Sequence, residues 1–213
     1  MTISTYDELL DEIGDYLARD DLDSKFPTFV KLTEAKLNRE LFVRQMEQRS
    51  TSVIDSGSEE PEFISLPTDF QSMRSIRLSS VTGKPSLEYV TQVELNTLRT
   101  KYANAPGQPQ YFSVIGEELE LFPTPDDDYT IEMIYRKNIP SLVSNSTNWL
   151  LTLAPDVYLY GALLEAAPYT KQDNRIQVWG LGYTTALDGL NRLGLMSTFN
   201  AGPLTVRPWG PTP

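Results

Sequence analysis

Three adjacent carboxylates, Asp126-Asp127-Asp128, are the first residues whose types and spacing could do chemistry, since clustered oxygen ligands are the start of a calcium site. The alternating Asp and Gly of an EF-hand loop are missing, however, and Pro125-Asp126 is ordinary turn chemistry. A solvated turn is expected there. Glu165 stands alone in the apolar run Val157 to Ala167. It is either a general acid with a raised pKa or a carboxylate held by an ion-pair partner, and pairing is the expectation because a buried carboxylate needs one. Lys137 with Ser141, and Lys84 with Ser86, have the composition of a Ser-Lys dyad but sit in turn-like segments that would not bury the amine. Gly180-Leu181-Gly182 lies in a helical pattern with no Gly-Lys-Ser or Gly-Lys-Thr after it. Close helix packing, rather than phosphate binding, is expected of it.

The missing residue types narrow the chemistry further. The 213 residues include no histidine and no cysteine, which removes the commonest general base and metal ligand, the usual triads, the thiolate nucleophile and any disulfide framework. Paired acids of the glycosidase type are set by space rather than spacing, and no pair stands out. No cofactor is implied. The net charge of −11 opposes tight binding to a phosphate backbone. Tyr158, Tyr160, Tyr169, Trp179 and Tyr183 lack interleaved Lys and Arg, so packing is expected of them rather than base stacking. No apolar run approaches a membrane span, and no secretory signal is visible at Met1-Thr2-Ile3-Ser4.

The two ends of the sequence are chemically opposite. Asp7, Glu8, Asp11, Glu12, Asp15, Asp20, Asp21 and Asp23 face Arg19 alone, whereas Leu193 to Pro213 holds no acid and one base, Arg207. Phe199, Leu204, Val206 and Trp209 are interleaved there with Pro and Gly. Such apolar residues on a non-helical segment are costly to leave wet. With Arg207 they are the interface candidates, expected to dock on a neighbour.

Periodicity supplies the elements that must carry these residues. Thr5-Tyr6-Asp7-Glu8 fits a capping box, and Tyr6, Leu9, Ile13 and Tyr16 trace a helix ending near Arg19. Ser24 and Pro27 mark a second helix with Phe26, Val30, Leu37 and Leu41 on its apolar face. From about Arg49 to Asn138 the pattern turns to period two, the signature of antiparallel strands. Tyr111–Ile115 and Glu118–Phe122 should form a hairpin over Gly116-Glu117, a loop suited to a type II′ turn, with Leu119 and Leu121 inward and Glu118 and Glu120 outward. Further strands are expected at Arg74 to Leu78 and at Thr130 to Tyr135, where Ile131, Met133 and Tyr135 share a face. Thr91-Gln92-Val93-Glu94 opens a short helix to about Tyr102. Pro155 begins a buried helix that Pro168 should end or kink, and Ile176, Trp179, Tyr183, Leu187 and Leu190 trace the last one.

The fold class that follows is α+β. Residues 1–47 and 148–192 should form a helical bundle, with an antiparallel β-sandwich or barrel inserted at 48–147 and an extended arm at 193–213.

Five segments carry a family resemblance: Phe29 to Arg44 (FVKLTEAKLNRELFVR), Leu66-Pro67-Thr68-Asp69-Phe70, Glu120 to Pro125 (ELFPTP), Tyr129 to Arg136 (YTIEMIYR) and Pro155 to Tyr169 (PDVYLYGALLEAAPY). In that order they resemble the adaptor, or tail tubular protein A, family of tailed phages, from about Thr5 to Leu193. The resemblance implies a non-enzymatic virion protein at the head-tail junction, assembled in the host cytoplasm as a ring of about twelve subunits. Its implied partners are other copies of itself, the portal protein and a tail nozzle or tail terminator protein, with DNA passing through the ring without specific binding. The remaining readings are a carbohydrate-binding or decoration module using exposed aromatics, and a glycan hydrolase using a carboxylate pair.

Overall fold

The first helix starts where the sequence says it should. Thr5 Oγ1 accepts the Glu8 N–H at 3.3 Å and Glu8 Oε2 accepts the Thr5 N–H at 3.1 Å, a reciprocal capping box that opens α1 (Tyr6–Leu17). Ala18 closes it in the left-handed region, at φ 51°. This arrangement comes from a computed structural model that describes residues 3–170 and 174–198. Within them lie six α-helices and two sheets, an α+β fold.

The chain divides into two compact units, Met1–Gln45 with Ile139–Pro213, and Met46–Asn138. In the first, a 3-10 segment (Asp20–Lys25) that periodicity did not signal leads into α2 (Phe26–Glu40). Its N-cap is Lys25 rather than Ser24 and makes no side-chain bond, Pro27 in the first turn supplying the preset backbone angle instead. Asn148 caps α4 (Trp149–Leu153), its Oδ1 accepting the Leu151 N–H at 2.8 Å. α5 (Pro155–Thr170) is the buried helix: Val157, Tyr158, Ala162, Leu163 and Ala166 are fully enclosed. α1, α2 and α6 (Ile176–Thr198) all pack against it. Pro168 does not end α5, which runs to Thr170, although its missing N–H removes the helical donor to the Leu164 carbonyl. α6 continues through Thr198, so Leu193 to Thr198 are helix and not part of an extended arm.

Glycines set the spacing of these helices unevenly. A Cβ on Gly161 would meet Thr33 at 2.4 Å, and one on Gly182 would meet the Tyr160 ring at 2.9 Å. Gly180, grouped with Gly182 by sequence, faces open space. Only one of that pair allows a close approach.

The second unit is built from β1 (Glu47–Ile54), β2 (Phe63–Ser65), β3 (Phe70–Leu78), β4 (Glu88–Tyr89), α3 (Gln92–Lys101), β5 (Tyr111–Ile115), β6 (Glu118–Phe122) and β7 (Tyr129–Lys137). One sheet is antiparallel in the order β1-β7-β3, and the other has the order β2-β6-β5-β4. Neither closes into a barrel among the described residues. The β5-β6 hairpin has the expected register, Ile115 opposite Glu118, and Gly116 takes φ 58° at the first turn position, as a type II′ turn requires. β4 pairs with β5 in parallel, against the antiparallel expectation. The physical reason is α3: a parallel pair needs a crossover of a dozen or more residues, and this helix lies within it.

Ile54, Ile76, Leu78, Ile131 and Met133 of the first sheet share one core with Phe112, Leu119 and Leu121 of the second. On its other face the second sheet buries Phe122 with Leu95 of α3 and Val90. Both faces of β6 are therefore covered. Glu120, expected outward by alternation, is 1% exposed for that reason.

Candidate functional site

The buried carboxylates are the groups that could do chemistry, and each is already committed. Glu120 lies under α3, where Arg99 Nη2 stands 2.5 Å from Oε1 and Gln92 Nε2 donates to Oε2 at 2.5 Å. Glu132 sits on β7, the central strand of its sheet, and receives Arg49 on one oxygen and Arg77 on the other. Ladder register produces this clamp, since Arg77 is directly opposite on β3 and Arg49 is on the flanking β1. The bond from Arg49, helped by Arg77, holds the Glu132 carboxyl below the usual range.

Glu34 is the third. Its Oε1 accepts the Leu142 N–H at 2.7 Å and its Oε2 accepts the Ser141 hydroxyl at 2.8 Å, while Asn38, one turn later, accepts the Ile139 N–H at 2.8 Å. α2 thus grips the segment that begins at Ile139. This explains why residues 139–147, grouped with the strands by sequence texture, cluster with the helices. Burial raises the Glu34 carboxyl above its ordinary value, against the opposing effect of those two bonds. Nearby, Asn148 donates to the Pro140 carbonyl at 2.8 Å and to the Tyr158 hydroxyl at 2.7 Å.

None of these three was singled out by sequence. Glu34 carried a signal, for it falls four residues after Val30 on the stripe Phe26, Val30, Leu37, Leu41. A carboxylate in an apolar stripe marks a buried acid with a partner elsewhere. Glu120 and Glu132 carried none in their own strands, because Arg99, Arg49 and Arg77 come from other elements.

Glu165 is half-buried, and among the described residues it has no ion pair; its charge helps raise the Tyr183 phenol. The buried acids are the three above, of which Glu120 and Glu132 are ion-paired. Asp126 accepts the Tyr129 hydroxyl at 2.7 Å, Asp127 accepts the Asp128 N–H at 2.8 Å, and Asp128 accepts both the N–H and hydroxyl of Ser56 at 2.9 Å. Their oxygens serve separate turns rather than converging. Among the described residues no group of His, Cys, Asp or Glu is arranged to hold a metal. Ser141 donates to Glu34 and Lys137 to Gln48, while Lys84 is exposed at a turn with φ 46°. Of the aromatics, Tyr158, Trp179 and Tyr183 are buried and Tyr160 is half-buried, whereas Tyr169 is 47% exposed, with its ring centroid 5.3 Å from that of Phe29.

What remains is surface. Asp7, Glu8, Asp11 and Asp15 on α1, with Asp21 and Asp23 beyond it, are exposed. α6 presents the opposite chemistry: Val178, Leu181 and Leu193 are 66%, 70% and 61% exposed. The interface candidates Phe199, Leu204, Val206, Arg207 and Trp209 lie outside the described residues. No described helix is long and apolar enough to cross a membrane.

The geometry is that of a scaffold whose acids hold elements together, with apolar surface left over for a partner. No curated protein matches the chain. The family model for the SU10 adaptor protein matches residues 4–207, nearly the whole length. The chain therefore belongs to the SU10 adaptor protein family, a phage head-to-tail adaptor family of structural proteins.

Proposed function

We propose that this protein is a subunit of a ring joining the portal to the tail and forming part of the channel through which DNA passes. The family match over residues 4–207 carries the reading. The arrangement of buried acids supports it, because Glu34, Glu120 and Glu132 have both oxygens engaged by the protein and none is poised as an acid or base. The protein acts without catalysis, and the two sheets of its second unit serve as a sandwich inserted between the helices. About twelve copies close the ring, contacting the portal on one side and a tail nozzle or terminator on the other. Assembly takes place in the host cytoplasm.

The exposed carboxylates of α1 line part of the lumen in this reading. Like charge keeps DNA from adhering as it leaves the head. Electron microscopy of the protein mixed with its portal tests the reading directly. A coaxial ring with α1 toward the lumen is the expected image; a monomer that ignores the portal would overturn it.

A further inference from the structure

Among the described residues, most of α6's outward face has no cover. Along Ile176–Thr198 the only charged residues are Asp188 and Arg192, and Val178, Leu181 and Leu193 stand largely exposed. These three border a groove of about 650 Å³ whose other wall includes Leu153, Tyr160 and Asp156. Leu153 is itself 51% exposed, and Asp156 is an exposed carboxylate at the start of α5. The groove is therefore largely apolar with an acid on one wall. A continuous apolar surface of this kind marks a binding site.

The sequence following α6 has the complementary chemistry. From Phe199 to Trp209 it carries Phe199, Leu204, Val206 and Trp209, no acid, and the single base Arg207. Leu204 and Trp209 stand six and eleven residues past Thr198, within reach of roughly 20 and 36 Å of extended chain. Leu193, the nearest part of the chain's own groove, is only five helical residues back from Thr198, about 7.5 Å. Leu181, at the far part of the groove, is seventeen helical residues back, about 26 Å, so the segment is long enough to span the groove, and the ring reading selects the neighbour's groove over its own.

We infer that the α5–α6 groove of each subunit receives the Phe199 to Trp209 segment of an adjacent copy, with Leu204 and Trp209 on the apolar wall and Arg207 toward Asp156. This rests on the ring reading above and names the surface that accepts the arm. One arm and one groove per subunit make a head-to-tail contact, the kind that closes a ring.

The absence of native cysteine makes the test clean. The full-length chain carrying Thr185→Cys on the groove wall and Gly210→Cys beside Trp209 is assembled, imaged, and treated with a short bismaleimide. The expected result is a ladder of interchain products from assembled rings, seen on a denaturing gel. Rings that give no product, or only intrachain product, overturn the groove assignment and leave the ring standing. Failure to form any ring overturns the ring reading and the groove with it. A second variant keeps the same cysteine pair and adds Leu181→Asp at an exposed position on the groove wall. Its interchain yield should fall about tenfold or more, the factor expected for losing one buried leucine contact. An unchanged yield in rings of normal appearance would also overturn the assignment.

Discussion

Arg99 of α3 reaches Glu120 of β6 at 2.5 Å, on a face of the strand that period-two alternation assigns to solvent. Arg99 is itself only 24% exposed at its side chain, so the pair tethers the helix to the sheet in a largely dry setting. Glu120→Ala should cost about 3 kcal/mol, because it leaves a cation without its counter-charge in a site closed to water. Denaturant unfolding of the purified protein measures this, and a loss below roughly 1 kcal/mol would show that the pair contributes little.

The two kinds of engaged carboxylate respond to pH with opposite sign. Glu34 has its folded value raised by burial above the ordinary 4.5, so the folded chain binds more protons in the window just above that value. Stability from this group is present below the window and is lost as pH rises through it. Glu34→Gln removes the titration while still able to accept the Leu142 N–H. Its stability relative to the parent should therefore increase as pH is raised from about 4 toward neutrality. A flat difference across that range would contradict the assignment.

Glu132 runs the other way. Its carboxyl is held low by Arg49 and Arg77, so its contribution is full above the ordinary glutamate value and drains away as pH falls below it. Glu132→Gln should flatten the acid limb of the stability profile while leaving the limb above pH 5 parallel to the parent, as urea midpoints across an acid series would reveal.

Two glycines on neighbouring helices should respond in opposite directions to the same substitution. Gly180→Ala adds a methyl group into open space and should stabilise α6 by about 0.5–1 kcal/mol through helix propensity. Gly161→Ala drives its Cβ to 2.4 Å from Thr33 and should destabilise by about 1–3 kcal/mol despite the same propensity gain. Thermal melts of the two variants give the comparison.

Asn148 joins three segments through one amide. Replacing it with Ala removes the α4 cap and strips the buried Tyr158 hydroxyl of a bond, for an expected loss of about 2–3 kcal/mol. Adding Tyr158→Phe to that variant should recover part of the loss, since no hydroxyl is then left unsatisfied. Denaturant midpoints for the single and double variants supply the test.

Local signals carried far in this chain. The Thr5 and Thr91 caps, the Gly116 turn, the Asn148 start and the buried α5 are all fixed by residues within one or two turns of where they act. Local signals are silent where the deciding group comes from a distance. Glu120 looked solvent-facing because nothing in ELELF announces that α3 will cover it, and the parallel β4-β5 pair depends on the same helix. The candidate site shows the same division. The acid excess and the apolar segment after α6 are compositional, and so readable; the groove that could receive that segment is a product of packing.

The pairing of β1 with β7 has a consequence for how this architecture can vary. Glu47 lies opposite Arg136, so the second unit begins and ends on neighbouring strands about 5 Å apart. A segment with ends held that closely by its own ladder meets its loop-closure entropy through its own folding, and the helices inherit only a short gap to span. Such a module is exchangeable in principle. A different sheet domain with adjacent termini could replace it between Gln45 and Ile139, letting one scaffold of helices acquire new contacts without being rebuilt.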